Sequence, residues 1–224
     1  MDFSSRPAAV AATWAIPLPT VVLRGRLVEL APLCEADIPG VADAAADPAI
    51  WTYMTSDACS PERAHAYVDE LLSLWKAGSA LPFAVRRLDS PAIIGVTRLK
   101  DVVRLHRRMA IGSWLAPAVW ATGANTEAKL LLFEHACERL GALRVELETD
   151  ARNARSLAAL QKIGATREGT LRSHRITRDG HRRDSVVFSV LDQEWPSVRQ
   201  RLDPLVEQSL RRDSSVSPNH GSPR

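Results

Sequence analysis

The sequence has 224 residues, of which 46% are hydrophobic and 25% are charged, and its net charge is +3. This balance is typical of one soluble globular domain with a real core, and the charge is too small to indicate nucleic-acid binding by itself. The three cysteines have neither the even number of a disulfide framework nor the spacing of a zinc site, which favours a reducing, cytoplasmic setting. No apolar run reaches the roughly 18 residues that would indicate a membrane span.

Both ends of the chain differ in composition from its centre. Positions 1–20 predict a flexible leader. The apolar run at 8–16 resembles a signal-peptide core, but Asp2, Pro17 and Pro19 argue against a secretory signal and favour a loosely docked leader. Positions 212–224 are rich in Ser and Pro, which predicts a disordered tail. The sequence therefore predicts a single domain over 21–211.

The first half of this domain is predicted to contain four strands and two helices. A strand over 26–30 precedes a helix over 35–46. Ser60 and Pro61 are typical of the first positions of a second helix, and Gly78 is typical of its end. Alternation of apolar and polar residues then predicts strands over 81–87, 93–99 and 107–115.

The second half is predicted to contain three helices and three strands. An apolar stripe predicts a helix over 124–140, and a short strand over 145–149 follows. Asn153 can cap a helix that ends at Ile163. Asp179-Gly180 predicts a hairpin between strands over 166–177 and 183–190, and a last helix begins near 192. The order of elements predicts a mixed α/β domain around one sheet.

The segment between the last strand of the first half and the long helix carries the strongest chemical signal. Gly123 lies in a short loop directly before the helix. The first N–H groups of a helix have no intrahelical partners, and the helix dipole favours negative charge beside them. Glycine also lets a phosphate approach the backbone closely. Because many loops before helices contain a glycine, this motif alone does not separate a phosphate site from an ordinary connection.

Several motifs in a fixed order resemble the GNAT acyltransferase superfamily, and within it the RimJ/RimL-like ribosomal-protein N-acetyltransferases. The resemblance covers about residues 23–195. It implies an α/β (α+β) fold of the GNAT acyl-CoA N-acyltransferase type, with a mixed, mostly antiparallel central sheet flanked by helices. The motifs are Ile111-Gly112-Ser113-Trp114-Leu115, the Gly123 loop with Asn125-Thr126-Glu127-Ala128-Lys129, Arg144-Val145-Glu146-Leu147-Glu148-Thr149-Asp150, Asn153-Ala154-Arg155-Ser156, Ile163-Gly164-Ala165, Glu168-Gly169-Thr170-Leu171-Arg172 and Arg183-Asp184-Ser185-Val186.

The loop departs from the superfamily pattern Gln/Arg-x-x-Gly-x-Gly/Ala at two positions. Trp120 holds the first position and Asn125 the last, whereas Gly123 is kept. In this superfamily the loop holds pyrophosphate through backbone amides. The departures therefore argue against a side-chain role for the first position, but they are compatible with pyrophosphate binding by the backbone amides.

The resemblance implies acetyl-CoA or coenzyme A as co-substrate, and no metal. The loop amides would hold the pyrophosphate, and the gap between the strands at 107–115 and 145–149 would receive the pantetheine arm. An N–H near the end of the first of these strands would stabilise the oxyanion. For Asn153, a plain helix cap is the competing explanation. The implied CoA-binding residues are Ser113, Trp114, Leu115, Ala121, Thr122, Gly123, Ala124, Asn125, Thr126, Asn153 and Ser156.

The acceptor amine must lose a proton before it attacks, since a lysine-like amine has a pKa of about 10.4. Glu146, Glu148, Asp150 and His174 are the candidate bases, and alternation places both glutamates on one strand face, where a solvated surface is the competing explanation. The glutamate expected in the RimL-like pattern is replaced by Ile176. The residues selected as catalytic are Ser156, which lies near the cofactor sulfur in the family, Glu146 and His174.

The acceptor and the reaction leave alternatives open. A protein N-terminus and a small-molecule amine both fit as the acceptor, and a homodimer is expected from the resemblance. The alternative function is a CoA-binding regulatory or scaffold protein without turnover. A nucleic-acid-binding protein ranks last, because the basic clusters at 104–108 and 172–183 lack interleaved aromatic residues. We expect neither nucleic acid nor membrane as a partner.

Overall fold

The computed structural model describes residues 14–216, with side chains described through 212. One eight-stranded sheet forms its centre. The strands are β1 (Leu23–Arg24), β2 (Val28–Pro32), β3 (Leu81–Arg87), β4 (Ile93–Val103), β5 (Arg108–Leu115), β6 (Arg144–Asp150), β7 (Thr166–Ile176) and β8 (Arg182–Leu191). The helices are α1 (Ile38–Ala45), α2 (Pro61–Lys76), α3 (Ala124–Glu134), α4 (Ala154–Lys162) and α5 (Trp195–Val216).

The sheet has the order β1-β2-β3-β4-β5-β6-β8-β7, and all of its neighbours are antiparallel except β5 and β6. The parallel pair is short. Its register begins at Arg108 opposite Arg144 and ends at Ile111 opposite Leu147. The remaining halves of the two strands separate, so a gap opens in the middle of the sheet. This is the mixed, mostly antiparallel sheet that the sequence predicts.

Helices cover both faces of the sheet and create two apolar layers. One layer joins α3, α4 and α5 to the sheet and includes Phe133 of α3, Leu202 of α5 and Phe188 of β8. The other joins α1 and α2 to the opposite face and includes an aromatic group of Trp51, Tyr67 of α2 and Trp114 of β5.

Most element boundaries in the structure lie close to the positions that local sequence signals predict. The Ser60 hydroxyl accepts a hydrogen bond from the Arg63 N–H and caps α2, as the sequence predicts. Asp179-Gly180 forms the turn between β7 and β8. The predicted helix over 124–140 is α-helical only as far as Glu134, and a π-helical turn, His135–Arg139, follows.

Both predicted chain ends differ from the structure where it describes them. Trp14 and Leu18 are buried in the core, and the Trp14 indole donates to the Leu140 carbonyl at 2.6 Å. The predicted leader is therefore docked from position 14, because two large apolar side chains gain from burial. At the other end, α5 continues to Val216, past the predicted start of the tail. Positions 1–13 and 217–224 lie outside the described residues.

No helix within residues 14–216 combines the length and apolar character needed to cross a lipid bilayer. Within the same residues, no three His, Cys, Asp or Glu side chains are grouped as metal ligands.

Candidate active site

A cavity of about 440 Å³ lies where the sheet opens beside the start of α3. We call it the larger cavity. The end of β5, the loop before α3, the first turns of α3 and α4 and the last turns of α5 surround it. Its lining includes Ser113, Trp114, Leu115, Ala121, Gly123, Asn125, Thr126, Asn153 and Ser156. These are nine of the eleven residues that the resemblance to the GNAT superfamily implies for coenzyme A.

Thr122 and Ala124, the other two predicted residues, do not line this cavity. The Thr122 hydroxyl donates to the Val119 carbonyl at 2.8 Å, and Ala124 is buried in the core. Gly123 between them has a φ of 94°, in the left-handed region. A Cβ atom at Gly123 would overlap the Ser209 hydroxyl of α5. Glycine is therefore required both by the backbone conformation and by the closeness of α5.

Trp120, at the first position of the loop, has a structural role that the sequence does not reveal. Its indole N–H donates to the Leu115 carbonyl at 2.8 Å. The Arg155 guanidinium lies over its ring, 3.3 Å from the ring centroid. Trp120 thus fixes the end of β5 and holds a cation at the wall of the larger cavity. That position suits an anionic ligand beside the start of α3.

Asn153 and Ser156 begin α4 at the opposite wall. The Asn153 side chain accepts a hydrogen bond from the Ser156 N–H at 3.0 Å, so it is a helix cap, as the competing explanation holds. Both residues also line the larger cavity. The capping bond fixes the first turn of α4, and Ser156 lies on the cavity side of that turn.

A second cavity of about 140 Å³, the smaller cavity, lies across the gap between β5 and β6. The two cavities share six lining residues, which form the junction between them. These are Met54, Ser113, Trp114, Lys129, Ser156 and Leu160. A molecule in the larger cavity can therefore meet a molecule in the smaller cavity at this junction.

Lys129 is the charged residue of the junction. It lies on α3, only 7% of its surface is exposed, and its ammonium donates to the Asn125 side chain at 2.6 Å. Burial lowers the pKa of Lys129 from 10.5 to about 8. An ammonium in this environment has lost much of its hydration, so an anionic group at the junction would be attracted to it.

Comparison with known proteins decides the family. Residues 27–166 match the family model described as "Acetyltransferase (GNAT) domain". The chain belongs to the GNAT acetyltransferase family. It is therefore an acyltransferase enzyme, and acetyl transfer from acetyl-CoA is the reaction general to this family.

Relatives and solved structures agree with this assignment. The Bacillus subtilis (strain 168) protein named "Putative ribosomal N-acetyltransferase YdaF" is 27% identical over 138 residues, which are 61% of this chain and 75% of that protein. A T. thermophilus structure described as a "putative acetyltransferase" is 36% identical, has a TM-score of 0.76, and the match covers 85% of this chain and 98% of that one. Mycobacterium smegmatis RimJ in complex with CoA-disulfide is 23% identical with a TM-score of 0.71, over 83% and 93% of the chains, and shows the likeness in fold alone.

The four acid–base candidates lie in different surroundings within this GNAT fold. Of the four, Glu148 alone lines the smaller cavity. Glu146 pairs with Arg144 and Arg108 at 3.0 and 3.2 Å and lines neither cavity. His174 lies 3.8 Å from a Glu148 oxygen, also outside the lining of both cavities.

Asp150, the fourth candidate, is buried. Burial alone would raise the pKa of Asp150, but hydrogen bonds from Arg152 outweigh it and hold the pKa below the usual value. Asp150 lines neither cavity, so it is not positioned to accept a proton from a molecule bound there.

Sequence reasoning missed part of the lining of both cavities in this GNAT protein. It did not single out Lys129 or Arg155 for any role, and it did not place α5 beside the loop. Lys129 follows Asn125 by four residues, which is the spacing of one helix face, and this signal could have indicated a shared site. The missed residues from α5 are Leu205, Gln208, Ser209 and Arg212.

Proposed function

We propose that this protein transfers the acetyl group of acetyl-CoA to a primary amine, of a protein N-terminus or a small molecule, by direct attack within a ternary complex. One observation carries the proposal. The pairing of β5 with β6 ends at Ile111 and Leu147, and beyond that point two cavities of unequal size meet at one junction. The larger one suits an extended cofactor, and the smaller one suits an acceptor.

The larger cavity offers complementary groups for each part of the cofactor. The start of α3, with Arg155 and Lys162 nearby, would bind the phosphates. The separated edge of β5 would pair with the amides of the pantetheine arm, since Gly112 to Leu115 have no partner on β6. The thioester would then lie at the junction beside Ser113 and Ser156.

The chemical step requires a balanced exchange of bonds and protons. The amine nitrogen attacks the thioester carbonyl carbon, a C–N bond forms, and the C–S bond breaks. The amine releases a proton toward Glu148, directly or through water, and the thiolate takes up a proton from solvent. Ser156 would donate a hydrogen bond to the departing sulfur. Glu148 takes the role of base because Glu146 and His174 lie outside the smaller cavity.

Thermal unfolding with coenzyme A tests the binding half of this proposal. At 100 times the dissociation constant, a ligand adds about 2.7 kcal/mol to the free energy of unfolding. We expect acetyl-CoA and free CoA to raise the melting temperature by roughly 5–10 °C and ATP to raise it less. Arg155→Gln should reduce the shift, whereas Arg167→Gln, an exposed arginine outside both cavities, should leave it unchanged. No shift at millimolar acetyl-CoA contradicts the proposal.

Turnover separates an enzyme from the alternative of a non-catalytic CoA-binding protein. Release of free thiol from acetyl-CoA, dependent on an added amine, supports transfer. If the protein binds coenzyme A, but acetyl-CoA releases no thiol with any amine in a broad panel, the regulatory alternative is favoured. A homodimer and a cytoplasmic location, expected from the sequence, remain predictions alongside this function.

A further inference from the structure

The smaller cavity has an unusual balance of charge. Five of its lining residues are cationic, namely Arg98, Lys100, Lys129, Arg175 and Arg183, and one, Glu148, is a carboxylate. They come from α3 and four strands of the sheet, so the fold brings them together from distant parts of the sequence. Like charges gathered in a concave site repel each other unless anions are present.

Glu148 does not balance these cations by itself. One of its oxygens, Oε1, is shared by Arg175 at 2.9 Å, Arg183 at 3.7 Å and Lys100 at 3.9 Å. Lys100 also pairs with Asp101 at 2.7 Å, outside the cavity lining. Arg98 donates to a neutral group, the Tyr67 hydroxyl, at 2.9 Å. Asp101 also interacts with Arg98 and Arg175, so the five cations face two carboxylates and positive charge remains in excess.

Arg183 shows this excess most clearly. Its side chain is only 7% exposed, and its Nε has no hydrogen-bond partner among the described residues. Its other contacts are long, 3.4 Å to the Tyr53 carbonyl and 3.7 Å to Glu148. Burial lowers the pKa of Arg183, opposed by Glu148 and Asp150. A buried guanidinium with unused donors is costly unless a ligand supplies acceptors.

From these contacts we infer that the smaller cavity binds an amine that also carries a carboxylate, with Arg175 and Arg183 as the carboxylate-binding pair. The forked donors of arginine match the two oxygens of a carboxylate. The inference rests on the proposed function and specifies its acceptor. Glu148 lines the same cavity beside these arginines, so it would accept the proton from the amine of the same molecule.

The size of the cavity limits how far apart the two groups lie. At about 140 Å³ it is about a third of the larger cavity. It suits a compact amino acid, or the first residues of a peptide with an acidic side chain. Both sources share the same chemistry, a primary amine within a few bonds of a carboxylate.

Matched pairs of acceptors test the inference. The pairs are glycine with glycinamide, and the amidated peptide Ser-Asp-Ala with amidated Ser-Asn-Ala, and spermidine represents amines without carboxylates. Thiol release from acetyl-CoA is measured at equal concentrations of unprotonated amine. We expect kcat/KM to be at least about 10-fold higher for the carboxylate member of one pair, and that pair identifies the source. Ratios near one in both pairs, with turnover of the uncharged members or spermidine, overturn the inference and leave the proposed transfer intact.

Variants connect the preference to the two arginines. Arg175→Gln and Arg183→Gln should each reduce the ratio below about threefold, through a higher KM for the carboxylate member only. Arg182→Gln is the matched control, because Arg182 is the exposed neighbour of Arg183 on β8 and lines neither cavity. Arg175 is 37% exposed, so its variant carries the test if Arg183→Gln does not fold.

Three outcomes are distinguishable. An equal loss for both members of a pair in Arg175→Gln overturns the carboxylate role. An Arg182→Gln variant that changes the ratio as strongly as Arg183→Gln would do the same, since the effect would then be general electrostatics. If acetyl-CoA releases no thiol with any of the amines, the result contradicts the proposed function itself, and the inference with it.

Discussion

The Arg155 guanidinium lies 3.3 Å from the centroid of the Trp120 ring, at the wall of the larger cavity. The same indole donates its N–H to the carbonyl of Leu115, the last residue of β5. One side chain at the first position of the loop therefore fixes both the end of a strand and the direction of a cation. In the superfamily pattern this position is Gln or Arg, and here the cation comes from α4 instead.

Replacement of Trp120 should weaken cofactor binding. Trp120→Leu removes the ring contact, worth about 0.5–2 kcal/mol, and the hydrogen bond, worth about 1 kcal/mol. We expect the dissociation constant of coenzyme A in calorimetry to rise about 10-fold. Trp120→Phe keeps a ring but has no N–H, so its dissociation constant should lie between those of the unchanged protein and Trp120→Leu. An unchanged affinity in both variants contradicts the role of this contact.

Glu127 should be essential for stability, with no direct part in binding. It is 2% exposed, and its carboxylate accepts the N–H groups of Arg26, Leu27 and Val28 at 2.6–2.8 Å. Glu127→Gln leaves at least one of these donors facing an amide N–H₂. We therefore expect the free energy of unfolding, measured with urea, to fall by about 2–4 kcal/mol.

The matched control for this variant lies on the same helix. Glu134→Gln removes the partly exposed pairing of Glu134 with Arg199 at 3.8 Å, and should cost no more than about 0.5 kcal/mol. Equal effects of the two substitutions would contradict the structural role of Glu127.

Lys129→Met should stabilise the protein and impair the reaction. The pKa of Lys129 is about 8 when folded and 10.5 in the reference state, so burial of the ammonium opposes folding by on the order of 3 kcal/mol near pH 7. The variant should therefore unfold at a higher denaturant concentration. Acetyl transfer should fall, because the ammonium lies at the junction of the two cavities.

The pH dependence of this gain has a defined sign. Above about pH 8 the unfolded chain binds more protons at Lys129 than the folded protein does, so the stability of the unchanged protein rises with pH relative to the variant. The advantage of Lys129→Met should shrink by about 2 kcal/mol between roughly pH 7 and pH 9.5. Lys76→Met, at an exposed position, should show no such change. A constant advantage across this range contradicts the lowered pKa.

Leu18→Ala should show that the chain before β1 is part of the domain. Leu18 is fully buried, and its carbonyl accepts the Trp75 indole N–H at 2.9 Å. Loss of its side chain should cost about 2–5 kcal/mol in thermal or urea unfolding. Val22→Ala, at a largely exposed position, should stay within about 0.5 kcal/mol. A small effect at Leu18 would support the flexible leader that the sequence predicts.

Local sequence signals determined most of the elements and the position of the loop. A serine cap, the turn pair Asp179-Gly180 and the glycine before α3 act on their own neighbours, so a single sequence reveals them. The sequence did not reveal that the leader docks from Trp14, because Trp14 and Leu18 contact residues more than 50 positions away. No local pattern distinguishes such packing from a hydrophobic stretch that stays free.

The choice between Glu146 and Glu148 shows most clearly where prediction from the sequence ends. Strand alternation alone determined that both side chains lie on one face of β6. The resemblance to the GNAT superfamily implied that this strand borders a cofactor gap. Only the tertiary structure decided which glutamate lies at that gap. Glu146 is opposite Ala110 inside the paired part of β5 and β6, and Glu148 lies just beyond the last pair, Ile111 with Leu147. The end of strand pairing depends on the packing of helices on both faces of the sheet, and this long-range balance is not encoded in any short segment.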